Sequence, residues 1–123
     1  MALGWDTLLM QHFVTIDWPN MDACLNGRGH WSKRKAIQDR QKQLTAIQCN
    51  HLPKCEHKDD IPITVLFCFP DKRARDADNL LAAIKAALDT ISKHIKADDS
   101  RFWPITMDRL YGEGGKVIIT LNY

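Results

Sequence analysis

The chain has 123 residues, of which 45% are hydrophobic and 26% are charged, and its formal net charge is +2. These values are typical of one compact globular domain spanning residues 1–123, and the charge is too small to indicate a partner. No run of about 18 apolar residues occurs, which excludes a transmembrane helix, and residues 1–10 lack the features of a signal peptide. We therefore expect a cytoplasmic protein with no membrane partner, whose four cysteines are reduced thiols.

The first half of the chain predicts one strand and one helix. The β-prone residues 13–17 predict a strand that stops before Pro19, and a glycine-containing loop follows over 20–30. Ser32 is a good N-cap for a surface helix that reaches about residue 48. The polar face of this helix is basic and includes Lys33, Arg34 and Lys35. Such a face can follow a phosphate backbone, although a solvated helix face has the same composition.

A polar segment over residues 50–60 predicts a second loop. It contains a repeated Cys-x-His pattern, formed by Cys49 and His51 and again by Cys55 and His57. The pattern suggests zinc, but structural zinc sites usually use Cys-x2-Cys pairs and more widely spaced His pairs. A loop that holds a few Cys and His side chains is the favoured interpretation.

The second half predicts three strands and one long helix. Residues 61–69 are apolar on both faces, which indicates a central, covered strand ended by Pro70. Apolar residues at three- and four-residue steps then predict a helix from Asp78 to about residue 95. Residues 105–111 and 116–123 predict two strands, and the glycine-rich residues 112–115 predict a hairpin between them. The expected fold is α/β or α+β, with a sheet of about four strands and two main helices.

Carboxylates gather on either side of the long helix. In an extended segment, the spacing of Asp76 and Asp78 places both carboxylates on the same side. Together with Asp98 or Asp99 they could hold one or two Mg²⁺ ions. At 1.5 Å per residue, the helix carries the chain about 25 Å away from Asp76 and Asp78. The chain must therefore return after the helix, or a second subunit must supply Asp98 and Asp99.

Basic residues accompany these carboxylates. Lys85 lies two helical turns after Asp78, where it could reach a phosphate oxygen or face solvent. Lys72, Arg73 and Arg75 could contact nucleic-acid phosphates or balance the nearby Asp residues. The sequence contains no P-loop, no dinucleotide-binding glycine motif and no nucleophile elbow.

The segment Phe-Pro-Asp-Lys-Arg-Ala-Arg-Asp-Ala-Asp-Asn-Leu-Leu at residues 69–81 resembles the signature of RusA-like Holliday junction resolvases, small endonucleases often carried by phages and prophages. The resemblance extends to residues 15–19, to Asp98-Asp99-Ser100 and to the glycine-rich segment before Lys116, but it does not cover residues 48–60. It implies a homodimer in a bacterial host cell that nicks two strands of a four-way DNA junction symmetrically, with Mg²⁺ or Mn²⁺ as cofactor.

The resemblance also implies residue roles. The catalytic carboxylates would be Asp76, Asp78 and the second member of the acidic pair, Asp99, which matches the essential position better than Asp98. Some members have a catalytic lysine where this chain has Ala82, so Lys85 is the candidate replacement. Residues expected to contact DNA are Asn79, Lys72, Arg73, Arg75, Lys33, Arg34 and Lys35.

Two alternatives stay open at this point. One is a non-catalytic nucleic-acid-binding module that uses the basic helix, with zinc bound between residues 49 and 57. The other is a resolvase fold that binds junctions without cutting them.

Overall fold

The computed structural model describes residues 10–21, 31–112 and 114–123. These residues form a small single α+β domain, in which helices pack on a four-stranded mixed sheet. In chain order the elements are β1 (Gln11–Asp17), α1 (Trp31–Gln48), β2 (Ile63–Phe69), α2 (Ala77–Ala83), α3 (Lys85–Ile95), a short 3-10 helix (Asp99–Arg101), β3 (Ile105–Tyr111) and β4 (Lys116–Asn122). The strand order in the sheet is β1-β4-β2-β3. The predicted fold class is confirmed.

Strand β2 lies inside the sheet, as predicted, between antiparallel β4 and parallel β3. Its alternate residues Ile63, Val65, Phe67 and Phe69 are fully buried, and they form the centre of the core with apolar residues of β1, β4 and α3. The other face is less covered than expected, because Thr64 and Leu66 are only half-buried. The apolar alternation therefore identified the central strand but overstated the cover on its second face.

The predicted hairpin between the last two strands is wrong. β3 pairs with β2, and β4 pairs with β1 and β2, so β2 separates β3 from β4. The glycine-rich connection instead passes the end of β2. Gly115 has a positive φ of 85°, and a Cβ placed on it would lie 3.0 Å from Cβ of Pro70. Glycine is required there because the backbone passes so close to the residue that ends β2.

The long predicted helix is two helices. α2 ends at Ala83 and α3 begins at Lys85, and Ile84 between them has φ −108° and ψ 10°. The first helix of the pair also begins one residue earlier than predicted, so Asp76 occupies the N-cap and Asp78 lies in the first turn. Ser32, predicted as an N-cap, is the second residue of α1.

The chain turns back after α3, which is one of the two arrangements expected for the acidic residues. Lys96 adopts the left-handed conformation (φ 61°, ψ 39°), and the Ala97 N–H donates to the Ser92 carbonyl at 3.0 Å. Such a left-handed residue is a common helix terminus. The 3-10 helix then returns to the start of β2, where the Trp103 N–H donates to the Ile61 carbonyl at 3.1 Å. Within the described residues, no helix is long and apolar enough to cross a membrane.

Candidate active site

Three charged side chains from different elements line one cleft of about 320 Å³. Asp78 comes from the first turn of α2, Lys85 begins α3, and Asp99 begins the 3-10 helix. The rest of the lining is apolar and consists of Leu81, Ala82, Leu88, Phe102 and Ile105. A single chain thus brings together an Asp from each acidic segment and the lysine predicted to accompany them.

Lys85 links two carboxylates. Its Nζ lies 3.2 Å from Oδ2 of Asp99 and 3.3 Å from Oδ1 of Asp89. Burial acts to lower the pKa of Lys85, but hydrogen bonds and charge attraction from Asp99 and Asp89 outweigh it and raise this pKa above 10.5. Lys85 is therefore an ammonium at neutral pH, suited to stabilising negative charge rather than to accepting a proton. The contact between Lys85 and Asp89 could have been predicted from the sequence, because Asp89 lies four residues after Lys85 on the same helix.

The two members of the second acidic pair differ in what they contact. Oδ1 of Asp98 accepts a hydrogen bond from the Ser100 N–H at 2.9 Å, so Asp98 caps the 3-10 helix. Asp99 instead faces Lys85 in the cleft. Both aspartates line a neighbouring groove together with Asp89 and Lys93, but Asp99 also lines the cleft and Asp98 does not. The geometry therefore places Asp99 rather than Asp98 in the cleft.

Asp76 and Asp78 are not arranged as the sequence suggested. Asp76 is extended (φ −78°, ψ 136°), whereas Asp78 is helical, so the two do not share one extended segment. Asp76 does not line the cleft, and its side chain makes no capping hydrogen bond. Both carboxylates are exposed. Asp76 is close in sequence to Asp78, but it does not lie in the cleft with Asp99.

The carboxylates of the cleft are the oxygen donors available to a divalent cation. Among residues 10–21, 31–112 and 114–123, no three His, Cys, Asp or Glu side chains are grouped so as to hold a metal ion. Asp78 and Asp99 nevertheless line the same solvent-accessible cleft. Mg²⁺ is commonly held by one or two carboxylates and keeps several waters. The two carboxylates are therefore of the donor type that a hydrated hard cation takes, and they do not form a closed protein cage.

Of the basic residues before α2, Arg75 is held by neighbouring side chains. The Arg75 side chain is only 12% exposed, and its guanidinium lies 5.1 Å from the ring centroids of both Trp18 and Phe69. It also lies 3.0 Å from Oδ1 of Asp71. Hydrogen bonds from Arg75 and from the Arg73 N–H lower the pKa of Asp71. Arg75 therefore holds the loop together, and its charge is already paired.

The other residues predicted to contact DNA are exposed or half-buried. Lys72 and Arg73 are exposed, and Lys35 pairs with Asp39 within α1 at 2.9 Å. Lys33 is exposed and Arg34 half-buried in the first turn of α1, while Asn79 is half-buried in α2. The structure does not gather these side chains around the cleft.

The described geometry does not support the zinc alternative. Cys49 is fully buried in the core, and burial raises the pKa of its thiol to about 11, which opposes the thiolate that zinc requires. Nε2 of His51 lies 2.7 Å from the Phe13 carbonyl oxygen. Nδ1 of His57 accepts the Asp59 N–H at 3.1 Å. Nε2 of His57 is buried without a hydrogen-bond partner, but among the described residues these Cys and His side chains are not grouped so as to share a metal ion. Cys24 lies outside the described residues.

Arg101 is a site-supporting residue that the sequence did not reveal. It ends the 3-10 helix that carries Asp99, and its guanidinium donates to the carbonyls of His57 and Asp59 at 2.8 and 2.7 Å. These bonds fasten the 3-10 helix to the loop before β2. No sequence pattern connects residue 101 to residues 57–59, because the contact is long-range.

Comparisons with known proteins add similarity but no activity. No protein-family model matches the chain. The chain is similar to an uncharacterized protein of Xylella fastidiosa (strain Temecula1 / ATCC 700964), with 29% identity over 118 residues. The match covers 89% of this chain and 74% of that protein. The class that the structure defines is thus a small α+β domain with a carboxylate–lysine cleft.

Proposed function

We propose that this protein is a RusA-like Holliday junction resolvase, a metal-dependent endonuclease that cuts four-way DNA junctions by paired symmetric nicks. The observation that supports this most strongly is the meeting of Asp78, Lys85 and Asp99 in one cleft. The segments that resemble the resolvase signature are distant in sequence, and folding brings a carboxylate from each to the same place. Charged residues that served only to keep two separate loops soluble would not need to meet in one cleft.

The chemistry of the cleft suits phosphodiester hydrolysis. Asp78 and Asp99 would hold Mg²⁺ or Mn²⁺, whereas Asp76, which the family resemblance also implies as a ligand, lies outside the cleft. When bound, such an ion neutralises the phosphate and lowers the pKa of an attacking water. Lys85 contributes a fixed positive charge against the developing charge of the leaving 3′ oxygen.

DNA arms would be held by the exposed cations Lys72 and Arg73 and by the first turn of α1. Arg75 is better assigned to the loop, because its guanidinium is already paired and nearly buried. Phosphate contacts of this kind weaken steeply as salt rises.

A homodimer suits two related cuts, and the edge strand β3 is the surface that we assign to it. Six of its seven residues are exposed, and Ile105, Leu110 and Tyr111 are exposed large hydrophobic residues. The exposed edge of β3 has no proline or lysine and carries Asp108 and Arg109 as its charged residues, so its backbone groups are open to pairing. We assign a second copy an antiparallel register centred on Met107, which sets Thr106 opposite Asp108. Registers centred on Asp108 or Arg109 would instead oppose like charges.

A cysteine substitution tests this pairing. In the Met107-centred register residue 107 faces its own copy, within the Cα separation of about 4.4–6.8 Å that a disulfide allows. Met107→Cys should therefore form a disulfide-linked dimer under mild oxidation, whereas Leu110→Cys and the wild type should not. If Leu110→Cys cross-links and Met107→Cys does not, the register is wrong. If neither cross-links and the protein is monomeric by light scattering, β3 is not a dimer interface.

The decisive experiment for the activity is cleavage of a synthetic four-way junction with Mg²⁺ or Mn²⁺. Paired nicks at symmetric positions are expected in the junction, with little cutting of a linear duplex of the same sequence. Equal cutting of both substrates, or no cutting with either metal, would overturn the proposal.

A second candidate is a junction-binding protein that does not cut. Position 82 is alanine, and Lys85 is already engaged by Asp99 and Asp89. Tight junction binding with no cleavage under either metal would favour this candidate. The non-catalytic zinc module has less support, since the Cys and His side chains of residues 49–57 are not grouped.

A further inference from the structure

A glutamine side chain from α1 lies in the break between α2 and α3. In a continuous α-helix the Ala87 N–H would donate to the carbonyl of Ala83, four residues earlier. Here Nε2 of Gln41 donates to the Ala83 carbonyl oxygen at 3.0 Å, and Oε1 of Gln41 accepts the Ala87 N–H at 3.0 Å. The carboxamide of Gln41 therefore replaces one direct hydrogen bond with a two-bond bridge.

The local sequence gives no other reason for the break. Residues 82–87 read Ala-Ala-Ile-Lys-Ala-Ala, which are good helix formers with no glycine or proline. Helices break sharply where a proline, a glycine or serine pair or a bulge occurs, or where a side chain or water enters the hydrogen-bond ladder. Ala83, Ile84 and Ala87 are at most 1% exposed, so bulk water does not reach the separated backbone groups. The inserted Gln41 side chain is the cause that the structure supplies.

The break lies between two residues of the cleft. Asp78 is on α2, whereas Lys85 is on α3 and is paired to Asp99 of the 3-10 helix. A continuous helix would fix Asp78 and Lys85 about 10 Å apart along one axis. With the helix broken at Ile84, the direction of α2 is set separately from that of α3.

We propose that Gln41 is a positioning residue of the candidate active site, which holds α2 and α3 apart and so sets Asp78 relative to Lys85 and Asp99. This inference rests on the proposed function, because it concerns the geometry of the same cleft. Gln41 touches neither carboxylate and acts only through the backbone of Ala83 and Ala87.

The test compares Gln41→Leu with Gln43→Leu, an exposed glutamine on the same helix. In a crystal structure of Gln41→Leu, we expect the Ala87 N–H to bond directly to the Ala83 carbonyl and Asp78 to move relative to Asp99. With a four-way junction and Mg²⁺, we expect kcat to fall by about 10- to 100-fold while KM changes little, as misplaced catalytic groups produce. Gln43→Leu should match the wild type in both measurements.

Gln41→Glu is the second variant, in case the leucine variant does not fold. It keeps an acceptor for the Ala87 N–H and loses the donor to the Ala83 carbonyl, so it should retain the break and show a smaller loss of kcat. A folded Gln41→Leu that keeps Ile84 non-helical and Asp78 in place would overturn the inference, as would a change in KM alone. If the wild type cuts no junction, the proposed function fails. The Asp78–Asp99 separation in the Gln41 variants then decides the positioning role by itself.

Discussion

The two acidic segments of this protein use the same local arrangement with different results. In each, the first aspartate is an extended N-cap, Asp76 (φ −78°, ψ 136°) or Asp98 (φ −66°, ψ 140°), and an aspartate of the following first turn, Asp78 or Asp99, lines the cleft. Asp98 uses its carboxylate to cap, whereas Asp76 makes no capping bond. Asp99 is paired with Lys85, whereas among the described residues no cation lies within ion-pairing distance of Asp78. In both segments, therefore, the aspartate at the N-cap lies outside the cleft, and the aspartate in the first turn lines it.

The largest expected effect comes from the two aspartates that line the cleft. Asp78→Asn and Asp99→Asn should each reduce single-turnover junction cleavage by about 10²–10³-fold, because a neutral amide binds a divalent cation and positions phosphate poorly. Junction binding, measured by mobility shift without metal, should persist. Asp60→Asn, at an exposed loop position away from the cleft, is the control and should cut like the wild type. Normal cleavage by either cleft variant would show that the acidic segments do not form the site.

Lys85→Met should reduce cleavage by about 10- to 100-fold, since it removes one stabilising charge. The raised pKa keeps Lys85 protonated across neutral pH, so the ratio of wild-type to variant rates should be the same at pH 7 and pH 9. A ratio that changes between these values would indicate that Lys85 acts as a base.

The same variant tests the stability of the ion pairs. Because the folded-state pKa of Lys85 lies above its unfolded value, its contribution is complete below the unfolded pKa and is lost as pH rises through the folded pKa, above 10.5. Lys85 is 64% exposed, so Lys85→Met should change the free energy of unfolding by less than about 1 kcal/mol. Urea unfolding at pH 8 measures this, and a larger change would mean that Lys85 holds the cleft together.

The two N-cap aspartates should differ in stability rather than in chemistry. Asp98→Ala loses the hydrogen bond to Ser100 and should lower the free energy of unfolding by about 1 kcal/mol, with cleavage little changed. Asp76 makes no capping hydrogen bond, so Asp76→Ala should lower the free energy of unfolding by less. If Asp76→Asn instead abolishes cleavage without affecting unfolding, Asp76 is a metal ligand as the family resemblance implies. The N-cap position would then not separate the two kinds of aspartate.

The smallest effects concern the loop before α2. Arg73→Ala should weaken junction binding a few-fold and reduce the slope of log affinity against log salt by about 0.9, as the loss of one phosphate contact does. Arg75→Ala should instead lower stability, because its guanidinium lies against two aromatic rings and Asp71. If Arg75→Ala alters only the salt slope, Arg75 contacts DNA after all.

Much of the candidate site could be predicted from the spacing of charged residues. Asp78, Lys85 and Asp99 were all identified from the sequence, and the structure brings them together. The preference for Asp99 over Asp98 came from the family resemblance, and the hydrogen bond from Ser100 to Asp98 gives it a physical basis. Arg75 was less predictable, since the aromatic rings that receive its guanidinium come from residues 18 and 69.

The strand pairing could not be predicted from neighbouring sequence. Two β-prone segments joined by glycines predict a hairpin, yet β3 pairs with β2 and leaves β4 on the other side. β2 is the most deeply buried strand, and it takes the interior position between them. Pairing is a competition among all strands, and local turn chemistry is only one part of it.

The sequence by itself determined the fold class, the central strand and the main helical segments, because hydrophobic periodicity encodes them. The spacing of charged residues indicated Asp78, Lys85 and either Asp98 or Asp99, and the family resemblance favoured Asp99. Tertiary structure decided the break at Ile84, where Gln41 enters the ladder from a helix more than 40 residues earlier. It also decided which aspartate of each segment faces the cleft and which begins a helix. These outcomes depend on hydrogen bonds between distant segments, and such contacts leave no periodic signal in the chain.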